Sequence, residues 1–304
     1  MSENPSLEVK IAGVTLKNPV MDASGTFGFG EEYGEFVDLS RLGAVVTKGL
    51  ASRPWPGNPA PRVCEVTGGM LNAIGLQNPG VEEFLRRDLA FLRRFDTRII
   101  VNVCGHTEEE YFEVVERLAD QPVDLLEINI SCPNVREGGM AFGRDPEMVE
   151  RITSAVKKRA SQPVIMKLSP NVADIGEVAR AAESGGADAV SLINTITGMK
   201  IDIDRRAFVL ANKTGGFSGP AVKPVAVRMV YEASHAVKIP VIGMGGIASG
   251  EDAVEFLLAG ASAVAVGTAN FFNPRATEEV VDGIRAYMLK YGVKDVRELI
   301  GAVR

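Results

Sequence analysis

Short apolar runs alternate with longer stretches of helical periodicity along almost the whole chain. The runs lie at residues 18–23, 44–48, 99–104, 125–131, 164–168, 189–194, 240–244 and 263–267, and they are apolar on nearly consecutive positions. Parallel strands covered on both faces read in this way. In the stretch 84–95, Phe84, Leu85, Leu89, Phe91, Leu92 and Phe95 recur at helical spacing, with Arg86, Arg87, Arg93 and Arg94 between them. Further helices are predicted over 108–119, 146–159, 175–184, 224–237, 251–258 and 275–291. Eight strand–helix units predict an α/β fold, a (β/α)₈ TIM barrel over residues 1–304 as one domain, in preference to an open doubly wound sheet.

Two stretches break the alternation. Residues 7–17 (LEVKIAGVTLK) predict an N-terminal β-hairpin that turns at Ala12–Gly13 and caps the bottom of the barrel. Residues 52–79 are rich in proline and glycine and far too long for an ordinary βα connection. They predict an ordered excursion, a long inserted loop over the C-terminal mouth.

Composition narrows the partners. With 46% hydrophobic and 24% charged residues, a disordered or fibrous chain is excluded. A net charge of −6 argues against nucleic acid or an anionic membrane as the main partner. Three dispersed cysteines (Cys64, Cys104, Cys132) form neither a disulfide framework nor a four-cysteine iron–sulfur site, and two histidines make no His-rich metal site. No run of about 18 apolar residues occurs. The opening MSENPSLEVK lacks a basic segment leading into an apolar one, so a cytoplasmic location is expected.

Chemistry in a barrel belongs at the C-terminal strand ends, and polar residues collect there. The ends read MDASGTFG, TKGL, NVCGH, NISCPN, MKLSPN, LINT, GMGGI and VGTANF. Gly245–Gly246 and Gly267–Thr268 follow the last two strands, where backbone N–H groups commonly bind phosphate. Lys167 and Lys48 sit in apolar runs. Either one alone could extend its stem to water, but two at one mouth favour an anionic ligand or an electron-rich cofactor. Asn72, Asn102, Asn129, Asn134 and Asn194 offer paired donors and acceptors suited to the edge of a uracil-like or flavin-like ring, though each is also a turn or cap residue type. Cys132 opens the loop CPNVREGGMAFGRD, whose Gly138, Gly139 and Gly143 supply hinges for a lid. Its thiol is a candidate acid–base group. Cys64, Cys104, His106 (beside a Thr107/Glu110 capping box) and His235 read as structural.

Together these residues resemble the class 1 dihydroorotate dehydrogenases, FMN-containing barrels of pyrimidine synthesis. NPVMDASGTFG, TKG, MLNAIGLQNPG, NISCPN, KLSPN, INT, GGFSGPAVKP, GMGGI and VGTANF occur in the family's order. The cysteine of NISCPN is the class 1 base, where the membrane-associated class 2 uses serine. DASGTFGFG and GGFSGPAVKPVAVRMV are similar to the NAD-linked subclass 1B. The resemblance implies that Cys132 takes a proton from C5 of (S)-dihydroorotate while a hydride passes from C6 to FMN. It implies Ser24, Lys48, Gly49, Asn102, Asn129, Lys167, Ile193, Gly219, Gly245, Gly246, Gly267 and Thr268 around FMN. It further implies Lys48, Asn72, Ala73, Ile74, Gly75, Leu76, Asn129, Asn134, Asn194 and Thr195 around the pyrimidine. In subclass 1B a second subunit carries FAD and a [2Fe–2S] cluster and passes electrons to NAD⁺, which implies a heterotetramer of two chains of each kind. The alternatives are the fumarate-linked subclass 1A, another FMN barrel reductase of pyrimidines, and a barrel kept as a scaffold without flavin.

Overall fold

The computed structural model describes residues 4–130, 136–137 and 140–303. It opens with a hairpin of β1 (Val9–Ile11) and β2 (Val14–Leu16). The turn residues Ala12 and Gly13 both have positive φ, 50° and 86°, the handedness that matches the twist of paired strands. Leu7, Val9, Ile11 and Leu16 join the main core. Arg98, the first residue of a barrel strand, donates to the Thr15 carbonyl (3.0 Å). The hairpin therefore closes the N-terminal end of the barrel.

Barrel strands β3 (Val20–Asp22) and β4 (Ala44–Val46) follow. The chain then leaves for an antiparallel pair, β5 (Val63–Val66) and β6 (Gly69–Asn72). It returns through α1 (Val81–Glu83), a widened π-type segment (Phe84–Asp88) and α2 (Leu89–Leu92). Next come β7 (Arg98–Val103), α3 (Glu108–Leu118) and β8 (Leu125–Asn129). A short pair, β9 (Arg136–Glu137) and β10 (Met140–Ala141), precedes α4 (Pro146–Lys157), β11 (Val164–Lys167), α5 (Ile175–Ser184) and β12 (Ala189–Leu192). A second excursion holds β13 (Ile196–Met199), β14 (Ile201–Asp202), β15 (Ala207–Phe208) and β16 (Thr214–Ser218). The circuit ends with α6 (Lys223–Ala236), β17 (Val241–Met244), α7 (Gly250–Leu258), β18 (Ala263–Val266), α8 (Ala269–Phe272) and α9 (Ala276–Tyr291).

The strands β3, β4, β7, β8, β11, β12, β17 and β18 close into a barrel in that order, each parallel to its neighbours. All eight lie where the apolar runs predict them. Around the barrel, α3 buries Tyr111, Val114, Val115 and Leu118, one stripe of a helix. Each fully buried aliphatic side chain of this kind contributes about 1.5–3 kcal/mol. Thr107, Asp145, Asp174 and Ser249 cap α3, α4, α5 and α7 by accepting backbone N–H bonds. Glu110, whose own N–H is the one Thr107 accepts, takes the His106 N–H rather than that of Thr107, so the capping box is shifted by one residue.

Two expectations need correction. The helix read over 84–95 begins at Val81 and stops at Leu92, with a π-type segment at Phe84–Asp88 and with Phe84, Leu89 and Leu92 buried. The mouth insertion is also not confined to 52–79. The 196–218 stretch supplies a second insertion, and the two pair in one antiparallel sheet, β13–β16–β6–β5, with Asn72 opposite Gly216 and Leu71 opposite Phe217. These strands are short, glycine-rich and half-exposed, so no alternation marks them. Small clusters hold this cap: Leu71, Ala73 and Leu210, and separately Ala51, Trp55 and Cys104. Among the described residues, no helix is long and apolar enough to cross a membrane and no His/Cys/Asp/Glu group could hold a metal ion.

Candidate active site

The C-terminal ends of the barrel strands open into a cavity of about 710 Å³ roofed by the cap. Ser24 follows β3, Lys48 and Gly49 follow β4, and Asn129 and Lys167 end β8 and β11. Ile193, Asn194 and Thr195 follow β12, Gly245 and Gly246 follow β17, and Gly267 and Thr268 follow β18. The cap contributes Asn72, Ala73, Ile74, Gly75 and Leu76. All of these line the one cavity.

A polar layer lies in the otherwise apolar barrel at its floor. Asp22, Asn102, Glu127, Lys167 and Ser191 are all buried. Glu127 accepts from the Ser191 hydroxyl (2.7 Å), from Asn102 Nδ2 (2.6 Å) and from Lys167 Nζ (3.5 Å). Among the described residues, Asn102 Oδ1 has no partner, and a Cβ on Gly49 would lie 3.1 Å from it. Asp22 Oδ1 accepts from the Val46 N–H (2.8 Å), while Oδ2 has no partner among the described residues. Burial pushes the Asp22 carboxyl up to about 8 against the pull of the Val46 amide, with the charge of Glu127 adding to the rise. Asp22 therefore stays protonated at neutral pH.

The walls are amides and free backbone donors. Asn194 donates to Asn129 Oδ1 (3.3 Å) and accepts from the Thr195 N–H (2.8 Å), which orients both side chains. The Tyr111 hydroxyl fixes the Asn129 carbonyl (2.7 Å). Lys48 is half-buried; burial pushes its ammonium down, Arg62 adds to this, and Glu32 opposes it. Gly245 and Gly246 have φ of 126° and 83°, and a Cβ there would meet Ala226 at 2.8 Å and Lys223 at 2.7 Å. Among the described residues, the N–H groups of Gly245, Gly246, Gly267 and Thr268 donate to no protein acceptor. The Thr268 hydroxyl donates to Ser218 (2.8 Å).

The chain matches the model of the family described as dihydroorotate dehydrogenase over residues 6–288. The chain belongs to the dihydroorotate dehydrogenase family. A relative from Lachnoclostridium phytofermentans is 67% identical over 97% of this chain and 99% of its own. Another, from Alkaliphilus metalliredigens, is 64% identical over 98% and 99%. Both are named dihydroorotate dehydrogenase B (NAD⁺), catalytic subunit, a name that makes each one part of an assembly with a further subunit. The crystal structure of a dihydroorotate dehydrogenase from Eimeria tenella in complex with ferulenol has the same fold, with a TM-score of 0.82 at 23% identity over 99% of this chain and 90% of that one.

Within this dihydroorotate dehydrogenase fold, Asn102 and Gly219 stand behind the cavity wall. Asn102 lies under Gly49, and the Gly219 carbonyl is 3.0 Å from the position of a Gly246 Cβ. Cys132 and Asn134 lie outside the described residues, as do Gly138 and Gly139 of the expected lid; Gly143 lines the cavity. Cys104 is buried under the cap and Cys64 is half-buried on β5. Sequence reasoning missed Glu127, Asp22 and Ser191 beneath the cavity, and Ser169, Asn171, Arg144 and Ser218 around it. An acidic residue inside the apolar run LLEINI was the available signal for Glu127.

Proposed function

We propose that this chain oxidises (S)-dihydroorotate to orotate in de novo pyrimidine synthesis, on the route to UMP, as the FMN-bearing catalytic subunit of an NAD-linked enzyme. One observation carries the reading. The two strand-end lysines, the asparagines and the glycines after β17 and β18 share a single cavity.

That cavity suits FMN on three counts. Its volume, about 710 Å³, falls within the roughly 300–1,000 Å³ of cofactor sites. The unengaged amides after β17 and β18 suit a phosphate. The orphaned Asn102 Oδ1 is a buried acceptor of the kind a ring N–H satisfies. Ser24, Lys48, Gly49, Asn102, Asn129, Lys167, Ile193, Gly219, Gly245, Gly246, Gly267 and Thr268 would hold it. When bound, FMN supplies the acceptor for a hydride.

Lys48 meets the substrate carboxylate, which offsets the burial that disfavours its charge. Asn72, Ala73, Ile74, Gly75 and Leu76 surround the same group, and among the described residues the Ile74, Gly75 and Leu76 amides are taken by no protein acceptor. Side chains of Asn129, Asn134 and Asn194, with Thr195, read the imide edge of the ring. Cys132 takes the proton from C5 as the hydride leaves C6, so that the C5–C6 bond becomes double. Lys167 favours the negative charge that accompanies reduction. The cap keeps water from the ring face. A separate subunit would hold FAD and [2Fe–2S] and would supply the electron route to NAD⁺, in a cytoplasmic heterotetramer of two chains of each kind. The three dispersed cysteines and the relatives' names support that division.

The test is steady-state turnover of dihydroorotate by the purified chain with an artificial dye, NAD⁺ or fumarate as acceptor, with and without the partner subunit. The dye is expected to work alone and NAD⁺ only with the partner. Brisk NAD⁺ reduction by the chain alone contradicts the division of labour. Fumarate reduction moves the chain to subclass 1A, and turnover of uracil-type substrates in place of orotate moves it to another pyrimidine reductase.

A further inference from the structure

We propose that Glu127 is a positioning residue of this site, holding the Lys167 ammonium at the cavity wall and tying it to Asn102 and Ser191. The inference rests on the flavin reading above. Glu127 stands in β8 among Leu125, Leu126 and Ile128, all fully buried, where a carboxylate is costly unless it is paired. It is paired on both oxygens, by donors from three other strands: Asn102 of β7, Lys167 of β11 and Ser191 of β12. The register sets Asn102 directly opposite Glu127, and Ser191 directly opposite Lys167.

Glu127 does not itself line the cavity, whereas Lys167 does. The two hydrogen bonds from Asn102 and Ser191 are short (2.6 and 2.7 Å), while Lys167 stands at 3.5 Å. The carboxylate is thus fixed by two neutral donors and anchors the ammonium without withdrawing it from the cavity. Asp22, the other carboxyl of the layer, is engaged by the Val46 N–H, and Lys167 is the weakest of the influences on it. It is a poor substitute.

The test compares the parent, Glu127→Gln, Lys167→Met and the double variant as purified holoproteins. Glutamine keeps the shape and both short bonds, because the Ser191 hydroxyl accepts as readily as it donates. It removes a counter-charge that holds the ammonium at the wall, so the ammonium moves away and its positive charge is no longer set against the flavin. The readouts are the midpoint potential of bound flavin and the FMN dissociation constant. Glu127→Gln is expected to lower the potential, in the same direction as Lys167→Met, and to weaken FMN binding about tenfold, as loss of a group supporting a direct ligand partner typically does. In the Lys167→Met background it should change binding by less than about twofold.

If Glu127 is only a negative charge near the flavin, its removal raises the potential, and if it is only structural, the potential stays where it was. Either result overturns the proposal, as does a Glu127→Gln effect of full size in the double variant. Should Glu127→Gln fail to fold, Glu127→Met combined with Lys167→Met removes both charges, a replacement buried pairs tolerate. Its potential should equal that of Lys167→Met alone, and a clearly higher value overturns the proposal. A parent that takes up no flavin sinks the reading beneath and the proposal with it. A flavin-loaded parent with an unchanged Glu127→Gln variant sinks the role of Glu127 alone.

Discussion

Every residue of the wall strand β8 is buried, whereas none of the cap strand β16 is. The wall belongs to one continuous core that runs from the bottom hairpin to α9. The cap stands on clusters of three buried residues each. Glu127 in the wall is held through both carboxylate oxygens by neighbouring strands, whereas the cap strands are half-exposed and rest on little buried apolar surface. The candidate active site lies at their seam. Lys167 and the polar layer around it come from below, and the paired cap sheet closes the cavity from above.

The largest effect tests whether chemistry belongs to the strand ends. Cys132→Ser should lose about two to four decades of turnover near neutral pH and still retain FMN. Cys64→Ser, in the cap, should be mild. Near-normal turnover of Cys132→Ser removes that residue from the mechanism.

Stability should divide in the opposite sense. Leu126→Ala in the wall should cost about 2–5 kcal/mol in denaturant unfolding. Leu71→Ala, in the cap cluster with Ala73 and Leu210, should cost less global stability and show itself as a raised KM for dihydroorotate. Equal global losses would erase the distinction.

Asp22 provides a pH test of the wall. Its folded carboxyl, pushed up to about 8 from 3.8, keeps a proton that the unfolded chain releases. Stability should therefore fall as pH climbs between those values, by at most about 1.4 kcal/mol per pH unit. Asp22→Asn keeps an acceptor for the Val46 N–H and should flatten that slope in unfolding curves taken from pH 4.5 to 7.5. Identical slopes in the two proteins refute this account of Asp22.

The smallest effect belongs to the cap surface. Ile203 is 82% exposed, and Ile203→Ser should change unfolding free energy by no more than about 0.5 kcal/mol. A much larger loss would mean that the cap unfolds together with the wall.

The same contrast explains what could be read from the residues alone. Wall strands are buried on both faces, so an uninterrupted apolar run marks each one, and Lys167 stands out because burying an ammonium is costly. Glu127 obeys the same rule but was passed over. One acid inside LLEINI leaves the run intact, and its three donors come from distant parts of the chain. The second insertion was hidden for another reason. A strand such as TGGFS has few side chains to alternate, and only its pairing with Gly69–Asn72 makes it a strand. The residues that line the cavity were legible because glycine, asparagine and lysine are poor choices for a buried strand end unless a ligand uses them.

The central claim is that this chain carries out the dihydroorotate half-reaction by itself. Dihydroorotate is added anaerobically to the purified, flavin-loaded chain with no NAD⁺ and no partner subunit, and the flavin absorbance is followed. The account predicts that the oxidised flavin band disappears and that orotate forms, one for each flavin reduced. A flavin that stays oxidised in the presence of excess dihydroorotate would contradict it.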